Sequence, residues 1–166
     1  HHFLRPGEPT PDEEALAGMI RSASGVPDLR LKILGVAPWV MSPKVAARFR
    51  QGRIFLTGDA AARLSPAGGR GMNTGLQSAH NLAWKIAAVV NGAAKESLLD
   101  SYDAERRALS LAVMGHTNQN SSEIFQQVQL ALQGNWEALK SSIAHSHRQV
   151  EDRAFDTGVC YGKTFR

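Results

Sequence analysis

Cysteine is all but missing from this chain. Cys160 stands alone among 166 residues, so no internal disulfide can staple the fold, and a reducing compartment fits. Long apolar runs are missing too: no stretch approaches the roughly 18 to 20 uncharged residues that a membrane span needs, and no secretory pattern opens the chain. Together these absences predict a soluble, cytoplasmic protein with no membrane partner. The net charge of +4 is small and dispersed, with Arg48, Arg50 and Arg53 interleaved among apolar neighbours. No platform of aromatics and bases accompanies them, so nucleic acid is not an expected partner and a solvated face is. Also lacking is a strand followed by G-x-G-x-x-G near the start, the fingerprint with which a free-standing dinucleotide-binding domain grips a pyrophosphate. Only two or three strands can be found, a sheet too small to cover its own edges. The chain therefore reads as part of something larger, with room for a homo-oligomer.

What is present is globular: 43% of residues are hydrophobic and 20% charged, which excludes disorder. The opening HHFLRPGEP reads as a tag remnant or a chain cut in mid-domain, so His1 and His2 carry no functional argument. A helix is expected over TPDEEALAGMIRSASG, with Thr10 as N-cap, Glu13 completing a capping box and Gly25 ending it. In LRLKILGV, Leu29, Leu31 and Ile33 alternate with Arg30 and Lys32, the pattern of a half-buried strand. A second, shorter strand is expected over 53–57. Leu76, Ala79, Ala83, Ile86 and Val90 then recur at helical spacing until Asn91-Gly92. A long helix follows in ESLLDSYDAERRALSLAVMGHTNQ, further helical segments in SSEIFQQVQLAL and NWEALKSSIAHSHRQV, and a strand-and-turn composition in AFDTGVCYGKTFR.

The chemistry concentrates between the short strand and the helix after it, in GDAAARLSPAGGRGMNTG. Gly58-Asp59 places a carboxylate at the strand's end, where it can accept hydrogen bonds from sugar or sugar-alcohol hydroxyls. A glycine bend then feeds a helix N-terminus near residues 71–74, whose unpaired N–H groups and macrodipole favour negative charge. Glycines allow an approach that a Cβ would block. Three occupants stay open on composition alone: a phosphate, a flavin ring that turns anionic on reduction, or nothing at all if the turn is only a tight connection.

Three blocks in order, GRIFLTGDAA, SPAGGRGMNTGLQSAHNLAWKIAAVVNG and LLDSYDAERR, resemble the C-terminal part of the flavin domain in FAD-dependent aromatic hydroxylases, the group A flavoprotein monooxygenases. This group includes the p-hydroxybenzoate and phenol hydroxylase type and the hydroxylases of polyketides and tetracyclines. The resemblance is strong over about residues 39–107, including Trp39 and AARFRQGR, and weaker on the flanks. It implies an α/β fold, here a partial FAD-binding domain of the glutathione-reductase-like kind, with long helices and an edge of the substrate-domain sheet, incomplete alone. It implies three parts: 1–42 closing the substrate-domain segment, 43–117 as the C-terminal part of the FAD-binding domain, and 118–166 as helices returning toward the substrate domain.

By the same resemblance, Gly58 and Asp59 form the motif that contacts the FAD ribitol, and Pro66, Gly68 and Gly69 lie along the flavin ring. Gly71, Met72 and Asn73 supply the helix end that faces the ring's pyrimidine side. The family reduces FAD with NAD(P)H as a transient reductant and transfers one atom of O2 to an electron-rich aromatic substrate. The missing N-terminal FAD-domain portion, or a complementary chain, is an implied partner. A catalytically inactive truncated relative, acting as a binding or complementation partner, is the competing reading. Two positions depart from the pattern: Ala62 stands where the family usually has histidine, and Ser78 where it usually has aspartate.

Plainer roles are expected elsewhere. His145 and His147, two apart, point away from each other on a helix, so no metal site is expected. His80 is expected to be packed or hydrogen-bonded, Asp103, Glu105, Arg106 and Arg107 to fix a charged helix face to the flavin domain, and Phe125 and Trp136 to anchor a core. No catalytic residue is named.

Overall fold

The computed structural model describes residues 9–146. His1, His2, His147, Cys160 and the strand-and-turn expectation for AFDTGVCYGKTFR lie outside them. The chain divides into two compact units, His1–Val40 and Met41–Arg166.

In the first unit, α1 spans Glu13–Ser24. Its N-cap is Asp12, whose carboxylate accepts the Ala15 N–H at 2.8 Å, rather than the expected Thr10. Either side chain can cap, and the one three residues before a free helical N–H prevails. Gly25 ends the helix as expected, in the left-handed region at φ 70°. The strand expected over 29–36 does not form. Leu29, Leu31 and Ile33 are half-buried while Arg30 and Lys32 are exposed, so the two-sidedness is real. A ladder also requires a neighbouring strand, and among the described residues none pairs with this segment.

Among its described residues the second unit is held by helices, with short strand pairs beside them. β1 (Lys44–Val45) pairs antiparallel with β4 (Ala62–Arg63), and β2 (Arg50–Gln51) with β3 (Ile54–Phe55). The expected strand over 53–57 is thus two residues long, because Gly52, at φ 59°, turns the chain immediately before it into a tight hairpin. A 3-10 turn, Gly58–Ala60, connects β3 to β4. α2 runs over Gly71–Val90, and α3 over Asp100–Leu132 after a second 3-10 turn.

Phe49 and Tyr102, both without solvent exposure, centre a core completed by Ala61, Ala62 and Leu82. The rings of Phe49 and Phe55 lie 6.1 Å and 6.2 Å from that of Tyr102. The Tyr102 hydroxyl donates to the Leu56 carbonyl at 2.7 Å, so its one polar atom is satisfied inside. Burial raises the Tyr102 pKa above its ordinary value of 10.0.

Polar contacts then fasten α3 to everything around it. Asp103 accepts the Phe49 N–H, Arg107 Nε donates to the Ala46 carbonyl at 3.3 Å, and Arg106 Nε to Ser78 Oγ at 3.1 Å. Glu105 accepts from Lys85 at 2.7 Å and from Asn81 at 2.9 Å. The YDAERR segment therefore fixes the helix, as its charge pattern suggests, by reaching across to α2 and to the loop between β1 and β2.

α3 is one continuous helix of 33 residues, about 50 Å long, where the sequence suggests two segments. No proline or turn signal separates them. Its buried residues are Tyr102, Arg106, Leu109, Ser110, Val113 and Thr117, and none follows Thr117. Residues 136–146 are helical again, with Asn135 Oδ1 accepting the Ala138 N–H at 3.2 Å. Ser146 joins this helix to α3 through Gln127 at 3.1 Å and Glu123 at 3.0 Å. Trp136 and Phe125, expected in a core, are 60% and 45% exposed. Helical spacing gives each a face, and a face becomes core only under a further layer.

Candidate functional site

β3, the Gly58–Ala60 turn and the start of α2 come together through one close approach. A Cβ on Gly75 would sit 3.4 Å from the Gly58 Cα. That contact lays the 3-10 turn, with Asp59 in it, against the first turns of α2. Gly58 itself lies at φ 57°, where a side chain would be strained. Gly75 escapes the reading of the glycine bend because it sits inside the helix. Its four-residue spacing from Gly71, which puts both on one helix face, is the available signal.

The bend is built from Pro66 to Gly69. The Gly69 N–H donates to the Pro66 carbonyl at 3.0 Å, and Gly68, at φ 97°, occupies the third position of a type II turn. Buried Ser65 tethers the bend to α3 through a hydroxyl pair with Ser121. Asn120 fills the space beside Gly68, where a Cβ would meet its Nδ2 at 3.2 Å. Asn120 and Ser121 lie more than fifty residues from the bend, and no local pattern announces them.

α2 opens at Gly71. Arg70, at the N-cap, offers no side-chain acceptor, no acidic residue sits in the first turn, and the first backbone bond is Thr74 N–H to the Arg70 carbonyl at 2.9 Å. The N–H groups of Gly71, Met72 and Asn73 thus precede the hydrogen-bonded ladder, at the positive end of a 20-residue helix. The surrounding surface is open. Asp59, Pro66, Gly68, Gly69, Met72 and Asn73 are exposed, Gly58 and Gly71 half-buried, and a Cβ on Gly69 or Gly71 would touch nothing within 4 Å. All eight residues singled out from the sequence therefore lie on one connected rim.

The two departures from the family pattern face inward. Ala62 is a core residue at 8% exposure. Ser78, at 3%, donates to the Thr74 carbonyl at 2.8 Å while accepting from Arg106. A carboxylate at position 78 would meet that guanidinium directly as an ion pair, whereas the serine receives a hydrogen bond from the charged group without neutralising it. His80, expected to be packed or hydrogen-bonded, is not packed but exposed on α2, and no group of three or more potential metal ligands occurs among the described residues. A cleft of about 580 Å³ opens elsewhere, lined by Arg48, Arg50, Glu96, Asp100 and Asp103 among others. It holds none of the rim residues, and Arg50 is engaged there by Glu96 at 3.0 Å and Asp100 at 2.6 Å. No described helix is long and apolar enough to cross a membrane.

Residues 4–117 match the family described as FAD binding domain. A putative polyketide hydroxylase of Streptomyces halstedii is 51% identical over 123 residues, which are 73% of this chain and 22% of that protein. The 2,4-dichlorophenol 6-monooxygenase of Cupriavidus pinatubonensis is 40% identical over 76% of this chain and 21% of its own. Among solved structures, the flavin-dependent monooxygenase PieE in complex with FAD and substrate superposes with a TM-score of 0.67 at 30% identity, covering 73% of this chain and 21% of that one. A ternary complex of aklavinone-11 hydroxylase with FAD and aklavinone gives 0.61 at 35% identity, over 69% and 21%. The chain spans about a fifth of the length of the curated relatives it matches.

Proposed function

The chain belongs to the FAD binding domain family, and from that premise we propose that it forms the ribitol and flavin-ring side of the cofactor site in an FAD-dependent monooxygenase acting on an aromatic or polyketide-like substrate. The observation that carries this reading is the conjunction at the Gly58–Gly75 contact of a free-standing carboxylate, Asp59, with the uncapped N-terminus of α2. A polyol needs acceptors such as the first, and a ring that gains negative charge needs donors such as the second.

The rim fits the group chemically. Its bend presents backbone without obstructing Cβ atoms at Gly69 and Gly71, and Arg70 carries a buried Nε that no described residue satisfies. In this assignment Asp59 holds the ribityl hydroxyls, Pro66, Gly68 and Gly69 border the ring, and the amides of Gly71, Met72 and Asn73 face its pyrimidine end. Bound FAD supplies the redox chemistry, taking electrons from NAD(P)H and activating O2. The residues described here bind, orient and polarise it. The likeness to enzymes named polyketide hydroxylase and 2,4-dichlorophenol 6-monooxygenase supports an aromatic substrate.

The adenosine and pyrophosphate half of FAD needs a G-x-G-x-x-G that this sequence does not contain. We assign that half to the rest of the protein or to a complementary chain. FAD titration followed by absorbance tests the reading. With a polypeptide carrying that fingerprint present, the flavin bands shift at a 1:1 ratio and NAD(P)H oxidation responds to an aromatic substrate. Flavin that remains spectrally free in that mixture would overturn it.

A further inference from the structure

We propose that Ser121 is a positioning residue for the flavin ring, acting through Ser65 to hold the glycine bend in one place. This deepens the reading of the rim as the flavin-ring site and rests on it. The bend needs such a hold. Gly68 and Gly69 leave its backbone permissive, and Gly69 N–H to the Pro66 carbonyl is the one backbone hydrogen bond described within it. That bond closes the turn and leaves its placement against the rest of the protein free.

The hold comes from α3, and its direction follows from the protons. Ser121 has one hydroxyl proton, which it donates to the Thr117 carbonyl at 3.0 Å. The hydroxyl pair between Ser65 and Ser121 therefore takes its proton from Ser65. Ser65 in turn accepts the Ala67 N–H at 3.4 Å, while the Met41 thioether, 3.5 Å away, is the weaker of its two acceptors. One line of donors thus runs from the backbone of the bend through Ser65 and Ser121 to the carbonyl of Thr117, and each bond in such a line polarises the next. Ser65 is 1% exposed and Thr117 fully buried, so water does not compete at either. Asn120, the residue before Ser121, closes the bend from a second side, where a Cβ on Gly68 would come within 3.2 Å of its Nδ2. Two consecutive residues of α3 therefore meet the bend at Ser65 and at Gly68. Both lie past residue 117, where the match to the FAD binding domain family ends. Because Pro66, Gly68 and Gly69 border the ring in the assignment above, a shift of the bend moves the surface against which the ring is oriented.

The test uses the FAD-loaded protein with its complementing portion. FAD titration reads affinity, and circular dichroism in the flavin's visible bands reports how the ring is held. Ser121→Ala and Ser65→Ala are each expected to weaken FAD binding about fivefold, the size of one net hydrogen bond, and to alter the visible dichroism in the same way. Because both break one line, the double variant should be no weaker than either single variant. Ser121→Thr, which keeps the hydroxyl, should stay within about twofold of the unaltered protein. Ser122→Ala makes the same change one residue on, at an exposed serine that bonds back to the Asn118 carbonyl, and should leave both readings unaltered. Four results overturn the positioning role and leave the flavin site standing: unaltered affinity and dichroism in Ser121→Ala whatever its stability to urea, effects that add in the double variant, Ser121→Thr as weak as Ser121→Ala, or Ser122→Ala as weak as Ser121→Ala. No flavin uptake by the unaltered protein overturns both.

Discussion

Phe49 and Tyr102 have no solvent exposure, whereas Met72, at the mouth of the glycine bend, keeps 74% of its surface. Between these two regions the protein changes its way of working. The floor is a junction of α2, α3 and the β2–β3 hairpin in which most polar side chains find partners, down to the Tyr102 hydroxyl on the Leu56 carbonyl, with Asn81 Oδ1 and Ser110 Oγ as buried exceptions. The rim, residues 58–73, keeps an exposed carboxylate, unladdered amides and a guanidinium Nε without an internal partner. Satisfied groups stabilise a fold, and unpaired ones at an open surface are available to a ligand. If this division is correct, substitutions in the floor cost stability and substitutions on the rim cost binding.

The largest effect should come from Phe49→Ala. Removing a fully buried ring from contact with Tyr102 and its neighbours is expected to cost about 3–5 kcal/mol, read by urea or thermal unfolding. A loss below about 1 kcal/mol would show that the strand pairs and helices hold together without this centre, and the contrast with the rim would lapse.

Glu105→Gln comes next. Lys85 is 1% exposed on its side chain and meets the Glu105 carboxylate at 2.7 Å. The variant leaves an ammonium facing a neutral amide, at a cost of about 3 kcal/mol. Partial burial pushes the Glu105 pKa up, but hydrogen bonds from Lys85 and Asn81 and the Lys85 charge outweigh it, so the carboxyl titrates below its ordinary value of 4.5. A carboxyl depressed in the folded state stabilises above its unfolded pKa and loses that contribution as pH falls through the folded one. The gap between the unaltered protein and Glu105→Gln should therefore be full at pH 7 and close below about pH 4.5. A gap that persists unchanged in acid would assign the effect to packing.

Much of the rim was legible in the sequence because its signals are local. Glycines at φ 57°, 97° and 62° must be glycines wherever the chain turns that way, and a helix start follows from the spacing after them. The floor was legible only in outline. The charged run at 103–107 suggested fastening, but which groups it reaches depends on contacts 20 to 61 residues away. The strand at 29–36 failed for the same reason: alternation reports sidedness, and pairing needs another segment. Trp136 and Phe125 were misplaced because apolar spacing marks a face without stating what covers it. Arg70 carries no local signal, because a basic residue in a glycine bend has the pattern of a solvated one, and the burial of its Nε depends on the fold.

The smallest change in stability, and the sharpest test of the division, is expected from Asp59→Ala. Asp59 is exposed, lies in the 3-10 turn and makes no hydrogen bond to any described side chain. Its removal should alter unfolding free energy by no more than about 0.5 kcal/mol, as for other surface positions. On the proposed reading the same carboxylate accepts hydrogen bonds from the ribityl chain, and losing a charged acceptor is expected to weaken FAD binding about tenfold to a hundredfold. Asp59→Asn keeps an acceptor oxygen without the charge and should fall between. Flavin fluorescence titration on the complemented protein measures the binding arm and urea unfolding the stability arm. Unchanged affinity with unchanged stability would leave Asp59 without a role and move the polyol away from the Gly58 turn. Stability falling by several kcal/mol would place Asp59 in the floor, because only a group already satisfied within the protein can destabilise it that far by leaving.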